Sequence, residues 1–409
     1  MLINIDDIKL VAADPGVHAG HMTKSTGETT IQNTTTEPDE MIAPPGLKGL
    51  VVADTTIGSV RGSEGFFHYR DYDAVEVARH QTFEGAAHLL IDGHLPTAAE
   101  ESAFRSELAM ARVVDPRVFT MLAAFVGPDL SPMAGLRSAL AVLIDDTATI
   151  DLSPQERRTI AVAAAGAVPT VLTGLHRLSI GAKPLDADPG LGHAADFIRM
   201  ITGTTPSPRL ARAVETYLLL TADHGFNAST FTTRVVTSTG AGIGSAISSA
   251  VAALSGPLHG GAPSRVLDMV DAIGDPANTE QWARAELDAG NKLMGFGHAV
   301  YRADDPRSLL LREVAIGLGG ELVERAMEIE ERMLRLLGDW KPGATIVTNV
   351  EFYAAIVLHL AGIPQEMFTP TFTTSRVIGW VAHLLEQADN NKIMRPKARY
   401  TGPEPRRSA

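Results

Sequence analysis

Signals for the start of an α-helix recur along most of this chain, and no alternation of strands with helices separates them. Thr97–Glu100 (TAAE) matches a capping box and predicts a helix that runs to about Val114. Ser153–Glu156 (SPQE) is a stronger signal, because a serine cap, a first-turn proline and a glutamate three residues after the cap coincide. Helix following helix through short connections predicts an all-α fold.

Two patterns extend this prediction toward the C-terminus. Asn278 with Gln281 indicates the start of a helix that should end at Gly290. Leu322–Leu337 has the periodicity of an amphipathic helix, which Gly338 should close.

The exception to this helical pattern lies between Gly46 and Tyr72. Leu50–Ala53 and Phe66–Tyr69 have the composition of strands, and the turn sequence Gly62–Gly65 (GSEG) lies between them. We therefore expect a short N-terminal β-hairpin ahead of the helices.

Composition narrows the class of function. The chain has 409 residues, 45% of them hydrophobic, which is enough for one large or two medium domains. A net charge of −13 argues against coating nucleic acid or an anionic membrane, but it is compatible with a local basic pocket for an anion. The chain has no cysteine, which excludes disulfides, thiolate metal ligands and a cysteine nucleophile.

No segment has the sequence of a convincing transmembrane helix. The least polar run, Thr237–Leu258, is rich in glycine, serine and alanine, so we expect a buried helix of a soluble protein. Met1–Leu10 carries acidic residues where a signal peptide has basic ones. These features predict a cytoplasmic protein.

Both ends of the chain are polar. Residues 1–45 lack periodicity, and Thr23–Pro45 is dominated by threonine, glutamate, aspartate, glycine and proline, which predicts a flexible arm. Met22 is an alternative start. The residues after Gly402 predict a frayed tail.

Three short stretches each place one titratable side chain among small or apolar residues. They are Pro257–Ala262 (PLHGGA) with His259, Gly295–Arg307 (GFGHAVYRADDPR) with His298, and Thr348–Tyr353 (TNVEFY) with Glu351. Two imidazoles and a carboxylate can act as an acid–base set that removes a proton from carbon and polarises carbonyl groups.

Each stretch also has a structural interpretation, and the local patterns leave both open. His259 can lie at an ordinary helix N-terminus, or the positive end of a helix can keep its ring neutral so that it donates a hydrogen bond to a developing enolate oxygen. His298, followed by Arg302 and Arg307, can belong to a surface turn or to a site for carboxylates or phosphates. Glu351 enters an apolar run, where a carboxylate is either reactive or paired.

Isolated arginines and histidines carry less information. Arg376 and Arg395 are each compatible with a solvated surface position, and His224 follows Ala222-Asp223 without a motif of its own. The sequence has no His-x-x-x-His pair, EF-hand loop or Walker loop, so neither a metal site nor a nucleoside-triphosphate site is predicted.

Taken together and in order, these stretches resemble the citrate synthase family, which includes the 2-methylcitrate synthases. The resemblance covers about Gly46 to Gly402 and extends over further motifs. They are His68–Asp73 (HYRDYD), Leu95–Thr97 (LPT), Pro132-Met133 with Leu136-Arg137, Ala222–His224 (ADH) with Asn227–Thr230 (NAST), Arg376 with Gly379-Trp380 and His383, and Arg395-Pro396. Each motif alone is modest, whereas their shared order is highly specific.

The resemblance implies a role for each of the three titratable side chains. His259 corresponds to the histidine that hydrogen-bonds the thioester carbonyl of an acyl-CoA and stabilises its enol. His298 corresponds to the histidine that polarises the ketone of oxaloacetate. Glu351 lies at the position of the catalytic base.

The resemblance also implies how the substrates bind. Arg307, Arg376 and His224 would bind oxaloacetate, and Arg395 would reach the active site of the other subunit of a homodimer. Arg302 would lie near the phosphates of CoA. The segment whose backbone would lie against the adenine consists of Leu293, Met294, Gly295, Phe296 and Gly297.

The implied fold is multi-helical, with residues 46–261 and 363–402 forming a large domain and residues 262–362 a small one. Residues 1–45 would be an arm and residues 403–409 a tail. The implied reaction condenses acetyl-CoA with oxaloacetate and water to citrate and CoA, through an enol and citryl-CoA, with no permanently bound cofactor. Closure of the small domain over the substrates would exclude water from the reaction.

Glu351 departs from the family pattern, in which the base is usually aspartate. The additional methylene gives roughly 1.5 Å more reach, and misplacing a base by about 1 Å can cost on the order of 100-fold in rate. Three interpretations stay open: an offset backbone, a preference for another acyl-CoA such as propionyl-CoA, or a weak relative that only binds CoA or dicarboxylates. Asp71 and Thr221, where the family often has glycine and histidine, are smaller departures.

Overall fold

The computed structural model describes residues 42–127, 130–257, 259, 263–298 and 300–406. The chain divides into two compact units after Asp54. In the first unit, residues 42–54 contain one 3-10 turn, Pro45–Leu47, and are mostly exposed. The rest of the predicted N-terminal arm lies outside the described residues. All the strands and helices below belong to the second unit.

A small antiparallel sheet begins the second unit. Its strands are β1 (Gly58–Arg61), β2 (Phe66–Tyr69) and β3 (Tyr72–Asp73), in the order β1-β2-β3. The predicted hairpin is present, but the strand expected at Leu50–Ala53 is wrong, since that segment has no regular structure. A four-residue turn pairs the residues that directly flank it, so Arg61 lies opposite Phe66 across Gly62–Gly65.

Almost everything that follows is helical, which confirms the predicted fold class. The sixteen α-helices of the described residues are α1 (Ala74–His80), α2 (Phe83–Asp92), α3 (Ala98–Ala111), α4 (Arg117–Leu122), α5 (Pro132–Leu143), α6 (Pro154–Ser179), α7 (His193–Thr202), α8 (Pro208–Thr221), α9 (Ala228–Ser238), α10 (Ile243–Leu254), α11 (Pro263–Ile273), α12 (Thr279–Asp288), α13 (Pro306–Leu318), α14 (Glu321–Trp340), α15 (Val350–Leu360) and α16 (Phe368–Asp389).

The helix-start signals in the sequence correspond to real caps. Thr97 and Ser153 each accept a hydrogen bond from the glutamate three residues later, and each glutamate side chain accepts one in return from the backbone of the cap residue. These reciprocal bonds satisfy amide groups that the first turn of a helix leaves unpaired. The helix after Thr97 ends at Ala111, three residues before the predicted end.

Helix ends were harder to predict. Helix α14 continues through Gly338 to Trp340, so glycine does not close it. An exposed glycine inside a helix costs only about 1 kcal/mol, and burial of Leu336 and Leu337 favours continuing the helix. Helix α12 starts next to Asn278 as predicted, but the Asn278 side chain makes no cap bond.

Helix α16 lies at the centre of the unit. It packs against α2, α6, α8, α9 and α10, and most of its residues are buried. Such a helix offers a fixed frame for a polar side chain, because neighbouring helices surround it. Arg376 and His383 lie on this helix with 2% and 0% of their surfaces exposed.

Among the described residues, α6 alone is long and apolar enough to cross a membrane, and 83% of its apolar window is buried inside the protein. The run Thr237–Leu258, predicted to be one buried helix, instead contains the end of α9 and all of α10. The division into a large domain and a small domain at residues 262–362 stays a prediction.

Candidate active site

The stretches around His298 and Glu351, about fifty residues apart in sequence, are joined side by side. Phe296 and Thr348 form an isolated antiparallel β-bridge. On either side of it, the Gly297 N–H donates to the Val347 carbonyl at 2.8 Å, and the Asn349 N–H donates to the Gly295 carbonyl at 2.9 Å. The bridge and its two flanking hydrogen bonds fix the backbone of His298 relative to that of Glu351.

The residue before this β-bridge, at position 295, must be glycine. Gly295 has a φ of +84°, a conformation that L side chains rarely adopt, and a Cβ there would lie 2.9 Å from the ring of Phe352. The sequence GFGH is therefore explained by backbone geometry as well as by ligand access.

The His298 ring has a defined tautomer. The backbone N–H groups of Val300 and Tyr301 both donate to Nδ1 at 3.0 Å. Burial, followed by the nearby charge of Arg307, lowers the pKa of His298 to about 4, so the ring is neutral at neutral pH. Because Nδ1 accepts hydrogen bonds, Nε2 must carry the ring proton and act as a donor.

Arg307 approaches this donor from the other side. Its Nη2 lies 3.2 Å from Nε2 of His298, and an arginine nitrogen can only donate. Both groups are donors and therefore lack an acceptor at this contact, so an oxygen atom of a ligand beside them can accept from both. Asp305 holds the guanidinium in place through Nε and Nη2, each at 2.9 Å.

Arg376 provides a second buried positive charge. Its Nε donates to the Thr221 carbonyl at 2.8 Å, and the guanidinium lies 4.5 Å from the ring centre of Phe372. No carboxylate of the described residues forms a salt bridge with it, so its charge is available for a ligand. The charge of Arg376 also lowers the pKa values of His224, His259 and Glu351, so each of these three groups lies within electrostatic range of Arg376.

His224 completes this cluster. Its Nε2 lies 3.0 Å from the hydroxyl of Tyr301, and its ring meets that of His298 edge-on at 5.9 Å between centroids. Burial and the two arginine charges hold the pKa of His224 well below its usual value. We call His224, His298, Arg307 and Arg376 the arginine pocket.

His259 has the opposite tautomer to His298. The backbone N–H of Ser229 donates to its Nε2 at 3.2 Å, and the Ser229 hydroxyl lies 2.9 Å from the same atom. That hydroxyl accepts a hydrogen bond from Trp380 at 3.0 Å and donates to Asn227 at 2.8 Å. With Nε2 accepting, the proton of the neutral ring must lie on Nδ1.

The expected reason for a neutral His259 needs correction. The following helix, α11, begins at Pro263, so His259 lies in a turn before it rather than at its first residue. Burial, and then the charge of Arg376, lowers the pKa of His259 to about 4. The ring is thus neutral, but through desolvation and a neighbouring cation rather than a helix dipole.

Glu351 lies in the first turn of α15, which Asn349 caps by accepting a hydrogen bond from the Glu351 N–H at 3.0 Å. No described residue donates a hydrogen bond to its carboxylate. Burial is the main cause that raises the pKa of Glu351 to about 7, against the lowering effects of Arg307 and Arg376. A carboxylate with this pKa is a suitable general base near neutral pH.

Two neighbouring cavities open beside these residues. The larger has a volume of about 670 Å³ and is lined by His259 together with the basic side chains Arg265 and Lys292. The other, of about 370 Å³, is lined by all five residues of the predicted adenine segment: Leu293, Met294, Gly295, Phe296 and Gly297. Lys292 and Asn349 line both cavities. We call the two cavities together the groove.

Two predicted residues lie apart from this arrangement. Arg302 donates to the carbonyls of His298 and Tyr301 and lines neither cavity of the groove. Arg395 is exposed in residues 391–406, which have no regular secondary structure, and no described hydrogen bond or ion pair joins it to the other candidate residues.

Sequence reasoning missed several residues that orient the candidate groups. Ser229 and Asn349 act across 30 and 52 residues of sequence, on His259 and on Gly297. Arg265 and Lys292 are basic residues of the groove with no motif of their own. Asp305 was visible in the sequence DDPR, but nothing there identified it as the partner of Arg307. Within the described residues, no group of three or more His, Asp or Glu side chains could hold a metal ion.

Comparisons with known proteins agree with this arrangement. The family model described as citrate synthase, C-terminal domain, matches residues 46–397. A citrate synthase of Haloferax volcanii is 36% identical over 367 residues, which cover 87% of this chain and 95% of the relative. A 2-methylcitrate synthase of Shewanella oneidensis is 33% identical over 366 residues, covering 88% of this chain and 96% of the relative.

A solved structure is similar over almost the same length. The citrate synthase of Thermoplasma acidophilum, in a ternary complex with carboxymethyl coenzyme A and oxaloacetate, aligns with a TM-score of 0.81 at 27% identity. The alignment covers 90% of this chain and 98% of that chain. The helical fold and these family matches show that the protein is an all-α acyltransferase. The chain belongs to the citrate synthase family, as the order of its motifs predicted.

Proposed function

We propose that this chain condenses acetyl-CoA with oxaloacetate and water to give citrate and CoA. The observation that carries the proposal is the combination of two neutral histidines with opposite tautomers and one carboxylate of raised pKa, with His298 beside Arg307 and with His259 and Glu351 near Arg376. Each histidine can donate a hydrogen bond to a different carbonyl oxygen, while the carboxylate accepts a proton. That division of roles is what a condensation of two carbonyl compounds needs.

Oxaloacetate would bind in the arginine pocket. Arg307 and Arg376 supply two positive charges for its two carboxylates, and charge-assisted hydrogen bonds from arginine are well suited to such groups. The keto oxygen would accept from Nε2 of His298. Polarisation of this ketone would make its carbon the electrophile.

The acyl-CoA would bind in the groove, with Lys292 and Arg265 near its phosphates. Glu351 would remove a proton from the α-carbon while Nδ1–H of His259 donates to the thioester oxygen. The proton of a thioester α-carbon is very weakly acidic, so a pre-oriented donor at the developing enol oxygen is needed to lower the barrier. The enol carbon then attacks the ketone carbon, forming citryl-CoA. Water hydrolyses this thioester to citrate and CoA.

We further propose that the chain acts as a homodimer in the cytoplasm, with Arg395 completing the site of the other subunit. The family resemblance and the exposed position of Arg395 support this. Residues 262–362 would close over the substrates as the small domain, which would keep water away until the carbon–carbon bond has formed.

A second candidate reaction is the synthesis of 2-methylcitrate from propionyl-CoA. Two observations favour it: the longer side chain of Glu351, and the similarity to a relative of that name. One additional methylene in a pocket changes selectivity by only about 1–3 kcal/mol, so both acyl-CoAs need to be tested side by side.

The test is the release of thiol by the pure protein with oxaloacetate and acetyl-, propionyl- or butyryl-CoA. We expect turnover that requires both substrates and is fastest with acetyl-CoA. Faster turnover with propionyl-CoA would identify the second reaction. Absence of turnover with all three by folded protein would contradict both and leave a protein that only binds CoA or dicarboxylates.

A further inference from the structure

A single buried carboxylate connects the arginine pocket to the helix that carries Glu351. Asp305 is 1% exposed and accepts four hydrogen bonds. Three come from Arg307, through its backbone N–H at 3.1 Å and through Nε and Nη2 at 2.9 Å. The fourth comes from the backbone N–H of Val350 at 3.1 Å.

The fourth bond reaches a different element. Val350 is the first residue of α15, and Glu351 is the second. The N–H groups at the start of a helix have no partner within the helix, so an outside acceptor fixes where the helix begins. Oδ2 of Asp305 accepts both from Nη2 of Arg307 and from Val350, and thus ties the two elements at one atom.

We propose that Asp305 is a positioning residue that couples the binding of oxaloacetate by Arg307 to the placement of Glu351. This inference rests on the proposed function. Oxaloacetate drawn onto Arg307 would pull on the same carboxylate oxygen that holds the start of α15. Binding of oxaloacetate would thus fix the position of the Glu351 carboxylate before the acyl-CoA reacts.

Asp305 affects Glu351 in two ways: its hydrogen bonds hold the start of α15, and its charge changes the pKa of Glu351. The charged or titratable groups facing Glu351 are Arg307 and Asp305 at the start of α13, Arg376 on α16, and Tyr217 on α8. Asp305 raises the pKa of Glu351, whereas Arg307 and Arg376 lower it. Removing the charge of Asp305 would also leave Arg307 unneutralised, so both changes lower the pKa of Glu351.

The first test is Asp305→Asn. An amide keeps the size of the side chain but has one acceptor oxygen instead of two and no charge, so it cannot accept all four hydrogen bonds, and its NH2 group must face donors of Arg307 or Val350. We expect KM for oxaloacetate to rise about tenfold and kcat to fall on the order of 100-fold, the effect of a misplaced base. The acid limb of kcat/KM for acetyl-CoA, at saturating oxaloacetate, should move to lower pH.

A second variant separates the two halves of the connection. Val350→Pro removes the N–H that reaches Asp305 while keeping an apolar side chain of similar size, and proline suits the first position of a helix. Asn349 already has the extended backbone, with ψ of 171°, that a following proline favours. We expect kcat to fall about fivefold, the worth of one hydrogen bond, with KM for oxaloacetate within about twofold of wild type.

Asp196→Asn is the matched control. Asp196, on α7, is also a fully buried carboxylate that accepts from arginine side chains and from one backbone N–H, that of Asp188. It lies outside the candidate site. Loss of the Asp196 charge should weaken its salt bridges and lower thermal stability. The values of KM, of kcat per folded molecule and of the pH at the acid limb of kcat/KM should stay at those of wild type.

The outcomes separate this inference from the function it rests on. A wild-type protein without turnover would overturn the proposed function and this inference with it. An active wild type whose Asp305→Asn variant changes only in stability, like Asp196→Asn, would overturn the inference alone. A Val350→Pro variant with wild-type kcat would likewise show that the bond to α15 does not position the base. The inference is supported when Asp305→Asn changes KM, kcat and the pH limb together.

Discussion

The basic side chains of the arginine pocket are buried, whereas those of the groove are exposed to solvent. In the pocket, Arg307 and Arg376 are 4% and 2% exposed, and each guanidinium is anchored by named acceptors. In the groove, Arg265 and Lys292 are exposed side chains on the rim of a cavity of about 670 Å³.

The difference reflects what each region would bind. A small dianion offers few contacts, so its charges must meet pre-oriented partners in a dry site, where an unpaired charge is costly. A CoA molecule offers a long surface, and its phosphates can remain partly solvated. Charges on the rim of the groove are screened by water and salt, so each contributes little.

The largest difference between the two regions should appear on removing a buried arginine. Arg376→Gln eliminates a charge-assisted hydrogen bond worth about 1.5–3 kcal/mol, so KM for oxaloacetate should rise about 10- to 100-fold. The readout is steady-state kinetics with each substrate varied in turn. Arg158→Gln, which breaks salt bridges to Asp92 and Glu107 away from the site, is the control. An unchanged KM for oxaloacetate in Arg376→Gln would remove Arg376 from the pocket.

Glu351 lies within electrostatic range of Arg307 and Arg376 of the arginine pocket, and its ionisation should cost stability. The folded-state pKa of about 7 is above the ordinary value of 4.5, so the stabilising contribution is fully present below pH 4.5 and is lost as pH rises through 7. Glutamine imitates the protonated form. Glu351→Gln should therefore be about 1–3 kcal/mol more stable than wild type at pH 8 and equal to it near pH 4.5.

Chemical denaturation at both pH values measures this. Equal stability of the two proteins at pH 8 would mean that the carboxylate is well solvated and that its pKa is not raised.

The smallest effect is expected in the groove. Lys292→Ala should raise KM for acetyl-CoA about three- to tenfold, since an exposed ion pair is worth about 1 kcal/mol or less, and leave KM for oxaloacetate unchanged. The effect should shrink as salt concentration rises. Arg335→Ala, on the exposed face of α14, is the control. A larger effect on oxaloacetate than on acetyl-CoA would contradict the assignment of the two regions.

The fold was predictable where its determinants are local. Capping boxes at Thr97 and Ser153 are read within four residues, and both mark helices in the structure. The strand at Leu50–Ala53 and the helix end at Gly338 were wrong, because composition locates the boundaries of an element less well than turns and burial do. The strand that pairs with β2 is Gly58–Arg61, which directly precedes the predicted turn, so the error came from locating the strand by its composition rather than by the turn.

The titratable residues of the candidate site were predictable from the sequence, but the groups that orient them were not. The resemblance located His259, His298 and Glu351, whereas the tautomers depend on backbone N–H groups of Ser229, Val300 and Tyr301. A sequence pattern carries no record of which carboxylate holds which arginine, so the dual role of Asp305 emerges only in three dimensions.

The carboxylate of Glu351 is proposed as the base of the reaction, and replacing its side chain removes only the group that would accept the proton. Thiol release from acetyl-CoA and oxaloacetate, measured with wild type and Glu351→Gln beside an equilibrium titration of oxaloacetate binding, separates chemistry from binding. We expect Glu351→Gln to lose at least about 100-fold in kcat, the usual contribution of a general base, and to bind oxaloacetate with affinity close to wild type. Wild-type turnover by Glu351→Gln would show that the base is another residue.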